Sequence, residues 1–257
     1  MSVEKPYYRI YRPIKMRDAY LPDYKYVLDN SYAHNRLHLS RAYLNLERKL
    51  RDVFDYIEPC ASNEAVFSFE LYKILLMACT EVELNLKQIL LANGGRNKDC
   101  SMRYYKEIEK SSKLSSYKVL FKNWRRNKKK NDYGDKIFIP FKSFERSKSP
   151  RWYVSYNNVK HDREGKFNGA SLSYCMYSVA AVLVLLYSQF GAYCIETYGD
   201  NAPQWNDGCE PQMNARTMFE IIEFPHWTDE EMYDFNWGVI RHKNAIQEFP
   251  FFRRGQQ

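Results

Sequence analysis

The residues of this chain best suited to chemistry stand in one string, Trp152-Tyr-Val-Ser-Tyr-Asn-Asn-Val-Lys-His-Asp-Arg163. On a helix, Asn157 and His161 are four residues apart and share one side, with Lys160 beside them. An amide, an imidazole and an ammonium that converge in this way suit an oxyanion. A histidine with a pKa of about 6.5 moves a proton at neutral pH, and Lys160 or Arg163 can stabilise a phosphate that gains charge during transfer. The competing reading is structural, because a helix-borne Asn and His also serve to bond a carbonyl or carboxylate on a neighbouring helix. Elsewhere, His34-Asn-Arg-Leu-His38 has the spacing of two zinc-binding imidazoles. It lacks the glutamate of the metalloprotease motif and a third ligand, so it reads as a helix surface and no metal is expected. No Walker loop, dinucleotide glycine fingerprint or Gly-x-Ser-x-Gly elbow occurs, and no cofactor is expected.

The helix that carries the string opens at Ser149-Pro150, a cap followed by proline at the first helical position, and Gly165 is expected to stop it. Upstream, between Ser31 and Glu58, Leu39, Tyr43, Leu46, Leu50, Val53 and Ile57 step by four and three along one helix face, which Pro59 ends. A second helix is expected from a cap at Ser62 or Asn63 to Gly94-Gly95. Its apolar stripe is Phe67, Leu71, Ile74, Leu75, Ala78, Val82 and Ile89, and Glu81, Asn85 and Gln88 lie along or beside it. A carboxylate at the margin of a buried face needs a donor or a wet cleft, which singles out Glu81. Ile137 to Phe144, interrupted by Pro140, reads as an extended segment or edge strand. A fourth helix, capped by Asn168, is expected over about Ala170 to Glu196. The 29 residues from Phe167 to Ile195 contain no Asp, Glu, Lys or Arg, which is the length of a membrane span. Ser171, Ser173, Ser178, Ser188, Gln189 and the tyrosines dilute its hydropathy, so a helix buried among the others is expected and a membrane is not. Beyond Gly199 only Thr217 to Phe224 reads as a strand.

The chain has 257 residues, 45% hydrophobic and 16% aromatic, ample for a core, which excludes disorder for most of it. Ten Gly and ten Pro exclude collagenous sequence, and a formal charge of +8 excludes an acidic solvating protein while allowing an anionic partner. That charge is local: residues 96 to 151 carry 18 basic and 6 acidic side chains, whereas 196 to 257 carry 5 and 11. The densest run, Lys122 to Asn131, reads as a solvated loop or a frayed helix end. Within it Lys122, Arg125, Arg126, Lys128, Lys129 and Lys130 can track phosphates while Trp124 stacks a base; a surface loop is the plainer alternative. The six cysteines are spread without a Cys-x-x-Cys, and no apolar run follows the basic stretch Met1 to Tyr20, so a reducing cytoplasm is expected.

From Ala33 to Glu196, the order helix, acidic helix, basic insertion, Asn-and-His helix, apolar helix resembles the HEPN domain, a bundle of four or five helices found in many toxin, antiviral-defence and RNA-processing proteins. Tyr156-Asn-Asn-Val-Lys-His-Asp-Arg163, preceded by a helix with Thr80-Glu-Val-Glu83, is similar to uncharacterised bacterial and phage-associated members. The resemblance implies a metal-independent ribonuclease site completed between two copies, with His161 as the histidine, Asn157 as the polar residue and Glu81, or Glu83, as the acid. The family's Arg, separated from the His by four to six intervening residues, has no match: positions 154 to 156 are Val, Ser and Tyr, and Arg151 lies further upstream. Arg163 is then the available cation, or the site only binds. The expectation is thus a mainly α, HEPN-like bundle over 31–198, with a basic insertion at about 96–150. An N-terminal extension (1–30) and a mixed, irregular, aromatic-rich C-terminal appendage (199–257) flank it, the appendage packing on the bundle. The implied function is RNA-directed, as an endoribonuclease or an RNA-binding module in a defence or toxin setting. The alternative is a non-catalytic interaction protein whose Glu81, Asn157, Lys160, His161 and Arg163 form a structural network. Trp152, Tyr153 and Tyr156 either supply a homodimer contact or fill the domain's own core or meet the C-terminal appendage.

Overall fold

Apolar residues at helical spacing build the long elements of this computed structural model, which describes residues 4, 6–15, 24–127, 132–195, 204–205, 211–212, 217–241 and 249. The chain is mainly α-helical: α1 (Arg36–Phe54), α2 (Phe69–Ala92), short α3 (Met102–Tyr105) and α4 (Glu109–Ser112), α5 (Arg151–His161), α6 (Arg163–Lys166), α7 (Leu172–Phe190) and α8 (Trp237–Ile240). α1, α2 and α5 pack against α7. The stretch Leu172–Tyr193 is long and apolar enough to cross a membrane by length and composition, yet 94% of its apolar window is buried inside the protein. It is the core helix that the other helices enclose.

The starts of α2 and α7 differ from the sequence reading, and α5 ends at His161, so Gly165 falls inside α6 instead of stopping α5. α2 is capped by Ser68, whose hydroxyl accepts from the Leu71 amide at 3.2 Å, and Ala61–Asn63 form a separate 3-10 turn. Glu64 and Ala65 form a turn, and the stretch from Glu64 to Val66 pairs with the start of α7: the Leu172 amide donates to Val66 O at 2.8 Å and the Ser173 amide to Glu64 O at 3.0 Å. That pairing also moves the α7 cap to Ser171, which accepts from the Tyr174 amide at 3.4 Å.

The described part of the basic run, through Asn127, is a strand. β1 (Lys118–Asn127) pairs antiparallel with β2 (Asp132–Phe138) on one side and β5 (Phe219–Glu223) on the other. A two-residue pair, β3 (Gln204–Trp205) with β4 (Pro211–Gln212), stands apart. Tyr117, Val119 and Phe121 point into the core while Lys118, Leu120 and Lys122 point out, so the charges occupy one face at period two. Between Phe121 and Trp124 the register shifts, and this bulge turns Trp124 inward. β2 is an edge strand, but of the expected extended segment Ile137 to Phe144 only Ile137 and Phe138 belong to it; Lys142–Arg146 form a 3-10 turn. The described residues of the N-terminal stretch are part of the same core. Tyr7, Tyr8, Ile10 and Tyr11 are buried, the Tyr11 amide donates to Ser188 O at 2.7 Å, and the Tyr233 hydroxyl donates to Ile10 O at 2.7 Å.

Beside that stretch lies a buried amide network. Arg9, only 5% exposed, donates to Gln189 Oε1 at 3.1 Å and to Asn35 Oδ1. Gln189 Nε2 in turn donates to Asn85 Oδ1 at 2.7 Å, and Asn85 Nδ2 to Glu81 O at 2.8 Å. With neutral acceptors and no carboxylate bonded to it among the described residues, burial pushes the Arg9 pKa down to about 10.

Candidate functional site

α5 begins at Arg151, with Pro150 as its cap residue, and its solvent stripe is Arg151, Val154, Asn158 and His161 at spacings of three and four. The opposite side is spent on packing. Trp152, Tyr153 and Tyr156 are buried in this chain's own core, with Trp152 Nε1 donating to Pro140 O at 2.9 Å. They are therefore not the surface for a second copy that the sequence suggested. Tyr153 donates its hydroxyl to Glu83 Oε1 at 2.7 Å, and Tyr156 donates more weakly to Glu83 Oε2 at 3.5 Å. Lys160 Nζ donates to the Tyr156 hydroxyl at 3.1 Å and lies 5.1 Å from that ring's centroid. Its pKa is raised by that hydrogen bond and by the negative charge nearby. Burial, then Glu83, pushes the Tyr153 phenol up; Asn157, half-buried, sits against the same hydroxyl.

The acid of this cluster is thus Glu83. Glu81, two residues away and about 200° around the helix, lines a different cleft, of 690 Å³ between α1 and α2, with His38, Arg41, Asn45 and Thr80. Partial burial raises its carboxyl pKa and His38 opposes the shift. Glu81 therefore meets the wet cleft that its margin position called for, but it is not the partner of His161. His34 precedes α1, so His34 and His38 do not share a helix face. His161 is exposed and has no hydrogen-bond or ion-pair partner among the described residues. Arg163, also exposed, holds its guanidinium 5.9 Å from the Tyr72 ring centroid.

The basic run separates under the same inspection. Trp124 is 6% exposed and lies beneath Lys136 Nζ at 4.9 Å, so it cannot stack a base. Lys122 is ion-paired to Glu220 at 2.5 Å across β1 and β5, and that bond raises its pKa. The Arg125 backbone amide is tied to Pro59 O at 2.9 Å and its side chain is half-buried; Arg126 is exposed. Lys128, Lys129 and Lys130 lie outside the described residues.

A group of cations that the sequence reading did not single out surrounds a second cleft, of 660 Å³, between the end of β2, the 142–146 turn, the start of α5 and the first turns of α7. Lys136, Lys142, Arg146, Lys148 and Arg151 line it, with Glu64 and Glu145 as the acids. A cue was present in the spacing Lys142, Arg146, Lys148, Arg151 just before the Asn-and-His helix. Only the turn over Ser147, at φ 51°, brings these residues to one opening. In comparisons with known proteins, no family model, curated protein or solved structure matches the chain.

Proposed function

We propose an RNA-directed function in which the solvent face of α5 and the cations at its two ends hold a phosphodiester backbone. The observation that carries this reading is the sign of that surface. From Arg151 to His161 the helix contains no acid, Arg146 and Lys148 stand before it, and at its far end the exposed Lys160, His161, Arg163 and Lys166 outnumber the exposed Asp162 and Glu164. Cations in excess along one ridge release counterions when they meet a polyanion, which drives binding without base recognition. The resemblance to HEPN domains supports the same substrate class and a helical-bundle ancestry. His161, outward and unbonded, is the group available to exchange a proton with a 2′-hydroxyl or a leaving oxygen. Among the described residues no carboxylate bonds it to fix its tautomer, so the reading rests on recognition more than on catalysis.

A second reading applies to part of the cluster. The hydrogen bonds among Glu83, Tyr153, Tyr156 and Lys160 favour a packing role for these side chains and for Asn157, since they tie α5 to α2. The test is anisotropy of a labelled single-stranded RNA at stepped salt, with an EDTA cleavage assay beside it. Arg163→Glu is expected to weaken binding and to lower the log–log salt slope by about one; binding that is absent or independent of salt would sink the reading. RNA fragments formed in EDTA by the wild type and lost in His161→Ala assign catalysis to that imidazole. Binding without fragments leaves a recognition module.

A further inference from the structure

The cleft at the N-terminal end of α5 holds more positive charge than its neighbours cancel. Glu64 takes Lys136 at 2.7 Å and Glu145 takes Lys142 at 2.6 Å, while Arg146, Lys148 and Arg151 have no ion-pair partner among the described residues. Low-dielectric walls focus such a field, so a cleft of one sign concentrates an anion. Two further features point the same way. The α5 N-terminus opens here with no side-chain cap and no acid in its first turn, leaving its positive end uncompensated. Ser143 Oγ, on the cleft wall, is buried and has no hydrogen-bond partner among the described residues, a state that buried hydroxyls rarely keep.

The remaining wall is aromatic. Tyr174 and Tyr177, one turn apart on α7, are half-buried, and Tyr177 is fixed edge-on to Phe138 with centroids 4.9 Å apart. Trp152 closes the base of the cleft with its indole nitrogen already bonded to Pro140 O. Cations beside fixed aromatic rings are the pairing that holds single-stranded nucleic acid, one phosphate and one stacked base at a time. The volume of 660 Å³ lies within the range of about 300–1,000 Å³ usual for small-ligand sites.

We propose that this cleft is a nucleotide subsite, which holds one phosphate among Arg146, Lys148, Arg151 and the Ser143 hydroxyl and the adjoining base against the tyrosine wall. The strand that supplies the nucleotide rests on the RNA-directed reading above; a free nucleoside 5′-monophosphate presents the same chemistry. Calorimetric titration of the full chain at low salt, with adenosine 5′-monophosphate and adenosine in parallel, tests it. The monophosphate is expected to bind and adenosine to show no saturation at the same concentrations. Lys148→Glu, at an exposed position, is expected to weaken the monophosphate about tenfold or more, with an unchanged thermal midpoint confirming that it folds. Lys49→Glu, on the exposed face of α1, is expected to leave it within about twofold. Displacement of an eight-nucleotide RNA by the monophosphate assigns the cleft to the strand. Absent binding, equal binding of adenosine, or indifference to Lys148→Glu overturns the proposal. If the cleft fails while the RNA still binds and responds to Arg163→Glu, the RNA reading survives alone. If the monophosphate binds and the RNA does not, that reading falls and the cleft stands as a mononucleotide site.

Discussion

Removing one oxygen, in Tyr153→Phe, separates packing from function on α5. The substitution keeps a ring that contacts Trp152 and Tyr156 at centroid distances of 6.1 and 5.6 Å, and deletes the donor that reaches Glu83 at 2.7 Å. Glu83 then retains only the longer bond from Tyr156, at 3.5 Å. A hydrogen bond to a charged acceptor contributes about 1.5–3 kcal/mol net. Because Glu83 is only half-buried, the lower part of that range applies, about 1.5–2 kcal/mol. For a chain of this length each kcal/mol moves the thermal midpoint by about 2–4 °C, so a fall of roughly 3–8 °C is expected. Urea unfolding of wild type, Tyr153→Phe, Glu83→Gln and the double variant closes a cycle with an expected coupling of about 1 kcal/mol. RNA affinity should stay within about twofold of wild type in Tyr153→Phe. A coupling below about 0.5 kcal/mol, or lost RNA binding at unchanged stability, refutes the assignment of this cluster to helix packing.

Two further outcomes follow from crowding and from burial. A Cβ at Gly169 would stand 2.5 Å from Ser155 Oγ and 2.8 Å from Val159 Cγ2, so Gly169→Ala is expected to cost about 1–3 kcal/mol in urea unfolding; a neutral effect would mean that α5 shifts freely. The carboxyls of Glu47, Glu81 and Glu109 are all raised above their usual 4.5, in each case chiefly by burial. The folded chain therefore binds more protons than the unfolded one above that pH. The stability these groups contribute is complete below about 4.5 and is lost as pH rises through their folded values. Stability measured by urea should decline from pH 5 toward neutrality, and Glu47→Gln should flatten the decline; a rise across that window contradicts the account. The lowered groups Asp29 and Glu231 act below it and do not interfere.

Periodicity made the four long helices legible, because apolar steps of three and four need no tertiary information. Their starts were less legible. Asn63 and Asn168 have the chemistry of caps, but pairing of residues 64–67 with the beginning of α7 transfers capping to Ser68 and Ser171. The basic run was misread for a related reason. Among its described residues, Lys122 and Arg126 are exposed on a strand whose inward residues, Val119 and Phe121, precede the run, and the bulge that buries Trp124 leaves no mark in composition. At the candidate site His161 and Arg163 both face out, but Arg163 stands on α6 beyond the break at Asp162, and Asn157 turns toward Tyr153 instead of sharing a side with His161. The choice between Glu81 and Glu83 depended on which side of α2 meets α5, and that is a fact of helix packing. The 660 Å³ cleft needed four elements from distant parts of the chain, so no local pattern announced it.

The tyrosine at 233 also sets a schedule for synthesis. Its hydroxyl accepts from the Tyr7 amide, across 226 positions of sequence, and donates to Ile10 O, while its backbone amide bonds Pro13 O at 2.9 Å. A ribosome adds about 5–20 residues per second, so the first-made segment waits on the order of 10–50 s for the residue that locks it. Until α7 is made, Ile10 and its neighbours lack the contacts to Ser188 and Gln189, and from then until Tyr233 follows they lack the hydroxyl that bonds Tyr7 and Ile10. Holdase chaperones therefore have their natural window on the nascent chain at its amino end, and a nick near Tyr233 would release the oldest part of the molecule.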